Sequence, residues 1–319
     1  MYILLYKIVL GGLFMTSKSK LFHKYYLEWI DVYKKGAVRE VTLKKYYGTH
    51  QWVKKLAPKL KLGELNKRTY QQLINDFAET HEKQTTLDFH HQVKGAIFDA
   101  YDEGVIKRNP TRKIVIKGKE PGDKKQKYLS QFELQRLVRN LDLSVPLNLD
   151  WLILLIAKTG LRFSEALALT PEDFDFENQL ISINKTWDYR NESGGFLPTK
   201  NASSIRTVHV EWKTMTKFVA MINELPNEQP IFITKRIHNS TVNNYLKRLC
   251  EEADIPVISI HGLRHTHASI LLYAGVSIAS VAKRLGHTNM TTTQKTYLHI
   301  IQELEDQDRE KIISILNTI

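Results

Sequence analysis

The sequence predicts a mainly α-helical protein of two domains, with a small antiparallel β-sheet in the second. Three observations carry this. Apolar and aromatic residues recur at helical spacing through most of the chain from Leu21 onward. Two short alternating runs, Leu180-Ile181-Ser182-Ile183 and Ile205 to Val210, read as strands, with an extended Phe196 to Thr199 between them. The stretch 116–127, IKGKEPGDKKQK, has Gly, Pro and many charges among few apolar residues, which is linker composition. At 319 residues the chain has room for a core on each side of that linker. The expected division is an apolar N-terminal segment over 1–15, a helical domain over 16–115, the linker over 116–127, and a second domain over 128–319 that ends in a tail helix.

Hydrophobic content of 42% and charged content of 25% are ordinary for a globular protein, but the net charge of +12 is not. Residues 1–120 hold 23 Lys and Arg against 12 Asp and Glu, whereas the remainder holds 23 against 22. Nearly all the excess therefore sits in the first third. A basic domain joined to a near-neutral one suits a grip on a polyanion, and a solvated basic surface is the plainer alternative. Cys250 is the only cysteine, which leaves no intramolecular disulfide and no zinc cluster, and fits a reducing cytoplasm. The first fifteen residues, MYILLYKIVLGGLFM, are apolar but shorter than the ~20 residues of a spanning helix. No small-residue cleavage site follows them. Either translation starts at Met15 or the segment packs on the body as a short strand or helix.

Taken in order, Leu21 to Tyr33 reads as the first helix, with Leu21, Tyr25, Leu27, Trp29, Ile30 and Tyr33 at helical spacing. Thr42 is the expected cap of a second helix that carries Lys44, Lys45, Lys54 and Lys55 and ends near Pro58. Leu65 to Thr80 reads as a third. Thr85 or Thr86 is the expected start of a fourth, which Gly104 stops before Asn109-Pro110. Several short helices in about a hundred residues make a compact bundle. Lys44, Lys45, His91 and Lys94 are candidate phosphate contacts, each equally readable as an exposed helix residue.

In the second domain Ser130 caps a helix through Val138. Trp151 to Ala157 (WLILLIA) is too uniformly apolar for a surface helix and is expected to be buried. Thr159-Gly160 breaks it, and Arg162 stands at the break with Glu165 one turn on, either as a structural ion pair or as a side chain facing a cleft. Thr170-Pro171 is a cap signature with Pro at the first helical position. The three extended segments are expected to form one three-stranded sheet. Lys200 falls beside the Asn201 to Ser204 turn between the last two strands, where a lysine is either an ordinary exposed residue or a proton donor aimed at a groove. Helices follow at Trp212 to Ile222, Thr241 to Ala253 and Gly262 to Tyr273. Ser277 caps a helix that Gly286 stops, Thr291 or Thr292 opens a short one carrying Tyr297, and an amphipathic tail runs from Gln302 to Leu316.

The chemistry concentrates between His261 and Tyr297. His261 and Arg264 lie three residues apart, His287 follows Gly286, and Tyr297 comes ten residues later. Guanidinium pairs bidentately with phosphate oxygens, imidazole exchanges protons near neutral pH, and a phenol can hold phosphorus as a covalent ester. A metal site at His261, His265 and His267 lacks an HExxH arrangement and a Cys partner, and Arg264 would repel a cation. Ser164, Ser269 and Ser277 lack a nucleophile elbow, and no glycine-rich phosphate loop exists.

In order and spacing, five pieces resemble the tyrosine recombinases, or phage integrases: Arg162 in TGLRFSE, Lys200 in TKNASSIRTV, His261 and Arg264 in HGLRH, His287 in LGH, and Tyr297 in TQKTY. The likeness spans roughly residues 20–310, and LGHTNMTTTQKTYLH looks most like integrases of Gram-positive phages and integrative elements. The resemblance implies that Arg162 and Arg264 clamp the scissile phosphate, that Tyr297 attacks phosphorus to leave a 3′-phosphotyrosine, and that Lys200 protonates the leaving 5′-oxygen. It gives His261 a part in proton transfer at the tyrosine, His287 a hydrogen bond to the phosphate or its attacking oxygen, and Glu165 a supporting place. It implies neither metal nor ATP, since the phosphotyrosine conserves the bond energy.

The resemblance further implies a two-domain C-shaped clamp round duplex DNA, made of a helical core-binding domain and a mixed α/β catalytic domain. The partners it implies are attachment sites in double-stranded DNA, a homotetramer on two such sites, and host or element-encoded DNA-bending proteins, with no membrane. The expected place is the cytoplasm, at the nucleoid. Many such integrases carry an extra arm-binding domain, whereas here about twenty residues precede the first helix. Either that domain is dispensable or the chain is truncated. Two rivals remain: a type IB topoisomerase-like relaxation of supercoils, and a DNA-binding protein of the same fold without catalysis.

Overall fold

The computed structural model describes residues 18–120, 122, 126–297, 313 and 316. The N-terminal apolar segment and nearly all of the tail lie outside the described residues; Ile313 and Leu316 are helical and exposed. Among the described residues no helix is long and apolar enough to cross a membrane. The chain divides into two compact units, Met1–Lys124 and Lys125–Ile319.

Among the described residues the first unit is a bundle of four α-helices: α1 (Phe22–Tyr33), α2 (Glu40–Leu56), α3 (Lys67–Ala78) and α4 (Lys83–Asp102). Each contributes one apolar stripe. Phe22, Val53, Tyr70, Leu73, Ile74, Phe77, Phe89, Val93 and Ile97 fill the shared core. Trp29 adds a buried indole whose Nε1 donates to Asp99 at 2.5 Å. Two helix starts differ from expectation. Thr42 is not the cap of α2: its N–H already donates to the Arg39 carbonyl. Nor does Thr85 or Thr86 open α4, because the buried Thr86 donates through both N–H and hydroxyl to the Glu82 carbonyl, four residues back. Threonine favours caps through that same hydroxyl, and packing of the apolar stripe outweighs the preference. The first part of the expected linker is docked on this unit. Val115 exchanges two hydrogen bonds with the Gln71 side chain, and the Lys119 N–H donates to the His81 carbonyl.

The second unit holds α5 (Gln131–Arg139), α6 (Leu149–Thr159), α7 (Phe163–Leu167), β1 (Phe174–Asp175), β2 (Leu180–Ile183), β3 (Lys185–Trp187), β4 (Phe196–Pro198), β5 (Arg206–His209), α8 (Trp212–Ile222), α9 (Asn239–Glu252), α10 (Ile260–Tyr273), α11 (Ile278–Leu285) and α12 (Met290–Thr296). α6 is its axis. Trp151 to Ala157 are all buried, and α10 packs along it. The single three-stranded sheet expected from the sequence is instead two sheets. The antiparallel order β1-β2-β5 forms one, with Ile183 opposite Arg206, and β3-β4 is a separate hairpin. Pro198 explains the split. Proline lacks the ladder N–H that a central strand needs and is confined to edge strands, and the exposed β4 pairs with one neighbour only. Pro171 to Asp173 is a single 3₁₀ turn, and Asn289, not Thr291 or Thr292, caps α12 by accepting from the Thr292 N–H.

Candidate active site

Two glycines make the site. Gly160 ends α6 and Gly286 ends α11, both in the left-handed region, at φ 70° and 67°. A Cβ on Gly160 would sit 2.7 Å from the His267 ring, and one on Gly286 would sit 2.9 Å from Arg206 Nη1. The turns thereby expose carbonyls that would otherwise lie inside a helix. Arg264, at the start of the second turn of α10, donates to Gly160 O at 2.7 Å and to Leu285 O at 2.6 Å. Arg162, just before α7, donates to Gly286 O at 3.0 Å. The two guanidiniums thus share consecutive carbonyls at the C-terminus of α11, the end of a helix that favours cations.

Glu165 lies beneath them, 1% exposed. It receives Arg162 Nη1 at 2.5 Å and Arg206 Nη2 at 3.0 Å. Burial alone would raise its pKa, but Arg206 and then Arg162 outweigh burial and hold the carboxyl below its usual range. Two guanidiniums therefore pair with one buried carboxylate, and Arg264 feels its charge without bonding it. Arg264 is 3% exposed and its hydrogen bonds go to carbonyls. Burial, then the Arg162 charge, pulls its pKa down to about 9. Such a cluster carries uncompensated positive charge in a poorly solvated place, and an arriving anion relieves it.

Tyr297 ends α12 with its ring 2% exposed among Ala268, Leu272, Val281 and Leu285. Burial pushes its hydroxyl up to about 12, against the opposing pull of Arg264. The imidazole in hydrogen-bond contact with it is His265, whose Nδ1 lies 2.9 Å from the hydroxyl. His261, expected at that place, is exposed and stands edge-on to the His265 ring at 4.8 Å. His287 is held by Thr293, Nδ1 to Oγ1 at 2.8 Å. Desolvation and then Arg264, Arg162 and Arg206 bring its pKa down to about 4, so it is neutral at pH 7. Lys200 is exposed. Its turn is docked on the loop after α11 by Asn201 Nδ2 donating to Thr288 Oγ1 at 2.8 Å, while Ser204 Oγ lies 3.4 Å from Arg162 Nη1.

The structure thus brings Arg162, Glu165, Arg264, His287 and Tyr297 around one end of α11, with His261 and the Lys200 turn alongside. Of the three candidate metal-site histidines, His261 and His265 stand edge to face, His265 also bonds Tyr297, and His267 is held apart between the Ala157 carbonyl and Arg284 Nε, at 3.0 and 2.8 Å. Lys44, Lys45 and His91 are exposed on the first unit, and Lys94 is half-buried with its ammonium 5.1 Å from the centre of the Phe98 ring. Sequence reasoning missed two residues. Arg206 shares strand parity with the buried Val208 and Val210, so an arginine on the inward face of β5 was readable as a buried charge. His265 follows His261 by one helical turn, which puts both on one face of α10.

The chain matches the Phage integrase family over residues 127–303. It is 28% identical over 173 residues to the integrase of Staphylococcus phage L54a, covering 49% of each chain. It is 28% identical over 235 residues to a XerC-like tyrosine recombinase of Caldanaerobacter subterraneus, covering 63% of this chain and 59% of that one. With the ICEBs1 integrase of Bacillus subtilis the figures are 27% over 239 residues, 69% and 63%. The chain spans about half to three fifths of the length of these curated relatives. Among solved structures, the Tn1549 transposon integrase in complex with circular intermediate DNA has a TM-score of 0.73 at 17% identity, covering 87% of this chain and 94% of that one. A lambda integrase dimer bound to a core site has a TM-score of 0.63 at 15% identity, covering 86% and 94%. These likenesses carry the fold, and the match over more than half of the chain carries the family: the chain belongs to the phage integrase family.

Proposed function

We propose that this chain is a site-specific recombinase of a mobile element, which cuts and rejoins DNA strands through a covalent bond to Tyr297. The observation that carries this is the arginine cluster. Arg162 and Arg206 meet one buried carboxylate, and Arg264 stands beside them on two carbonyls, near a phenol, which makes a site for a phosphodiester next to a nucleophile. In the proposed step the Tyr297 oxygen bonds to phosphorus, the bond from phosphorus to the 5′-oxygen breaks, and Lys200 supplies that oxygen with a proton. Arg162 and Arg264 meet the charge that builds on the non-bridging oxygens, and neutral His287 offers them a further hydrogen bond. Glu165 and Arg206 hold Arg162 in place.

Double-stranded DNA is the proposed substrate, with Lys44, Lys45, His91 and Lys94 as contacts of the first unit. A solved lambda integrase tetramer is bound to a Holliday junction, at a TM-score of 0.61 and 16% identity, and four copies on two sites is the assembly proposed here. The test is covalent capture. Duplex DNA spanning the ends of the element around this gene is nicked beside the suspected cleavage point and incubated with the protein, then resolved in SDS. A complex with wild type and none with Tyr297→Phe is expected. Capture by Tyr297→Phe would overturn the assignment, and capture on any supercoiled plasmid with relaxation would replace recombination by a topoisomerase activity.

A further inference from the structure

We infer that His265 takes the proton of the Tyr297 hydroxyl as strand cleavage begins and returns it on rejoining. The inference rests on the proposed reaction at Tyr297 and adds a residue to it. Among the described side chains, His265 Nδ1 makes the hydrogen bond to that hydroxyl, at 2.9 Å, within the reach a general base needs. With the ring proton on Nε2, Nδ1 presents its lone pair to the phenol. The base also follows Arg264 in the chain, so α10 delivers the phosphate clamp and the proton acceptor on one rigid element.

The groups facing His265 are His261 and Arg264 on its own helix, Lys127 from the segment before α5, and Tyr297 from α12. Burial, then His261, Arg264 and Lys127, bring the His265 pKa down to about 4, so the ring is neutral and open to a proton at pH 7. The same surroundings make it a weak base until substrate arrives. A phosphate between Arg162 and Arg264 offsets the positive field and favours the imidazolium at the moment it forms. The balance is complete: the phenol oxygen bonds to phosphorus, its proton moves to His265 Nδ1, the 5′-oxygen leaves, and Lys200 protonates it. His261, edge-on to His265, is one step removed from the reacting atom.

Single-turnover capture on the nicked duplex tests this with His265→Ala and His265→Gln. Both are expected to slow capture at pH 7 by roughly 10²–10⁴-fold without loss of DNA affinity, and the deficit should shrink by about tenfold per pH unit as hydroxide replaces the base. Added imidazole should restore His265→Ala in part. A substrate with sulfur at the 5′-bridging position, which leaves without a proton, should rescue Lys200→Ala but not the His265 variants. Wild-type rates and pH profile in His265→Gln would overturn the inference, as would rescue by the sulfur leaving group. Faster capture than wild type would also overturn it and make the contact a restraint on the tyrosine. If His265→Ala no longer binds DNA, the glutamine variant decides. No capture by wild type on any junction would instead remove the reaction on which the inference rests.

Discussion

The two units handle charge in opposite ways. Residues 1–120 hold nearly all of the chain's excess positive charge, yet no lysine or arginine among the described residues of the first unit is buried. Its cations lie on the outside of a core of aromatic and aliphatic side chains. The second unit is close to neutral, yet it pairs Arg162 and Arg206 with Glu165 and buries Arg264 beside them to 3% exposure. On the proposed function, net charge marks where a long polyanion would be gripped, through many weak and screened contacts. A local imbalance in a poorly solvated place indicates where one phosphate is bound for chemistry, at high cost to the empty protein.

That division can be broken from either side. The largest effect is expected in the interior. Arg264→Lys keeps the charge but cannot reach both Gly160 O and Leu285 O, and single-turnover capture should fall by roughly 10³-fold with little change in DNA affinity. Equal losses in affinity and rate would dissolve the distinction between grip and chemistry. Next comes the surface. Lys44→Glu with Lys45→Glu should weaken DNA binding by about tenfold at moderate salt and flatten its salt dependence, measured by fluorescence anisotropy, while capture at saturating DNA stays unchanged.

The smallest effect concerns pH and touches both units. Burial, the largest cause in each case, brings His265 and His287 down to about 4, His267 to about 3, and His90 in the first unit to about 4. These rings fold neutral, so the unfolded chain binds protons first. Stability is then full above the ordinary histidine pKa of ~6.5 and declines as the pH falls from there toward ~4. Thermal unfolding should drop by roughly 5 °C between pH 7.5 and 5. A flat profile would show that these imidazoles open to water in the folded protein.

Much of this was readable beforehand, and the failures have physical causes. Trp151 to Ala157 was identifiable as core because no face of it is polar, and the Arg162–Glu165 pair because one helical turn separates them. Gly286 was readable as a helix stop, but the use of its carbonyl by Arg162, 124 residues away, was not. β2, β4 and β5 were located but β1 and β3 were missed, and the pairing was wrong, because two- and three-residue strands carry too little alternation, alternation does not name a neighbour, and the penalty that Pro198 imposes on a central position was not applied. The contact between His265 and Tyr297 spans 32 residues and two helices, so no local pattern encodes it.

The consecutive carbonyls of Leu285 and Gly286 act as one ruler for two arginines. Adding or deleting one residue in α11 would rotate that ruler by about a hundred degrees and misplace both guanidiniums together. The exposed tip at 190–193, by contrast, lies between β3 and β4 and can change length at little cost. Anyone who recombines or grafts pieces of this chain has a seam there, and should treat Ser277 to His287 as a single indivisible block.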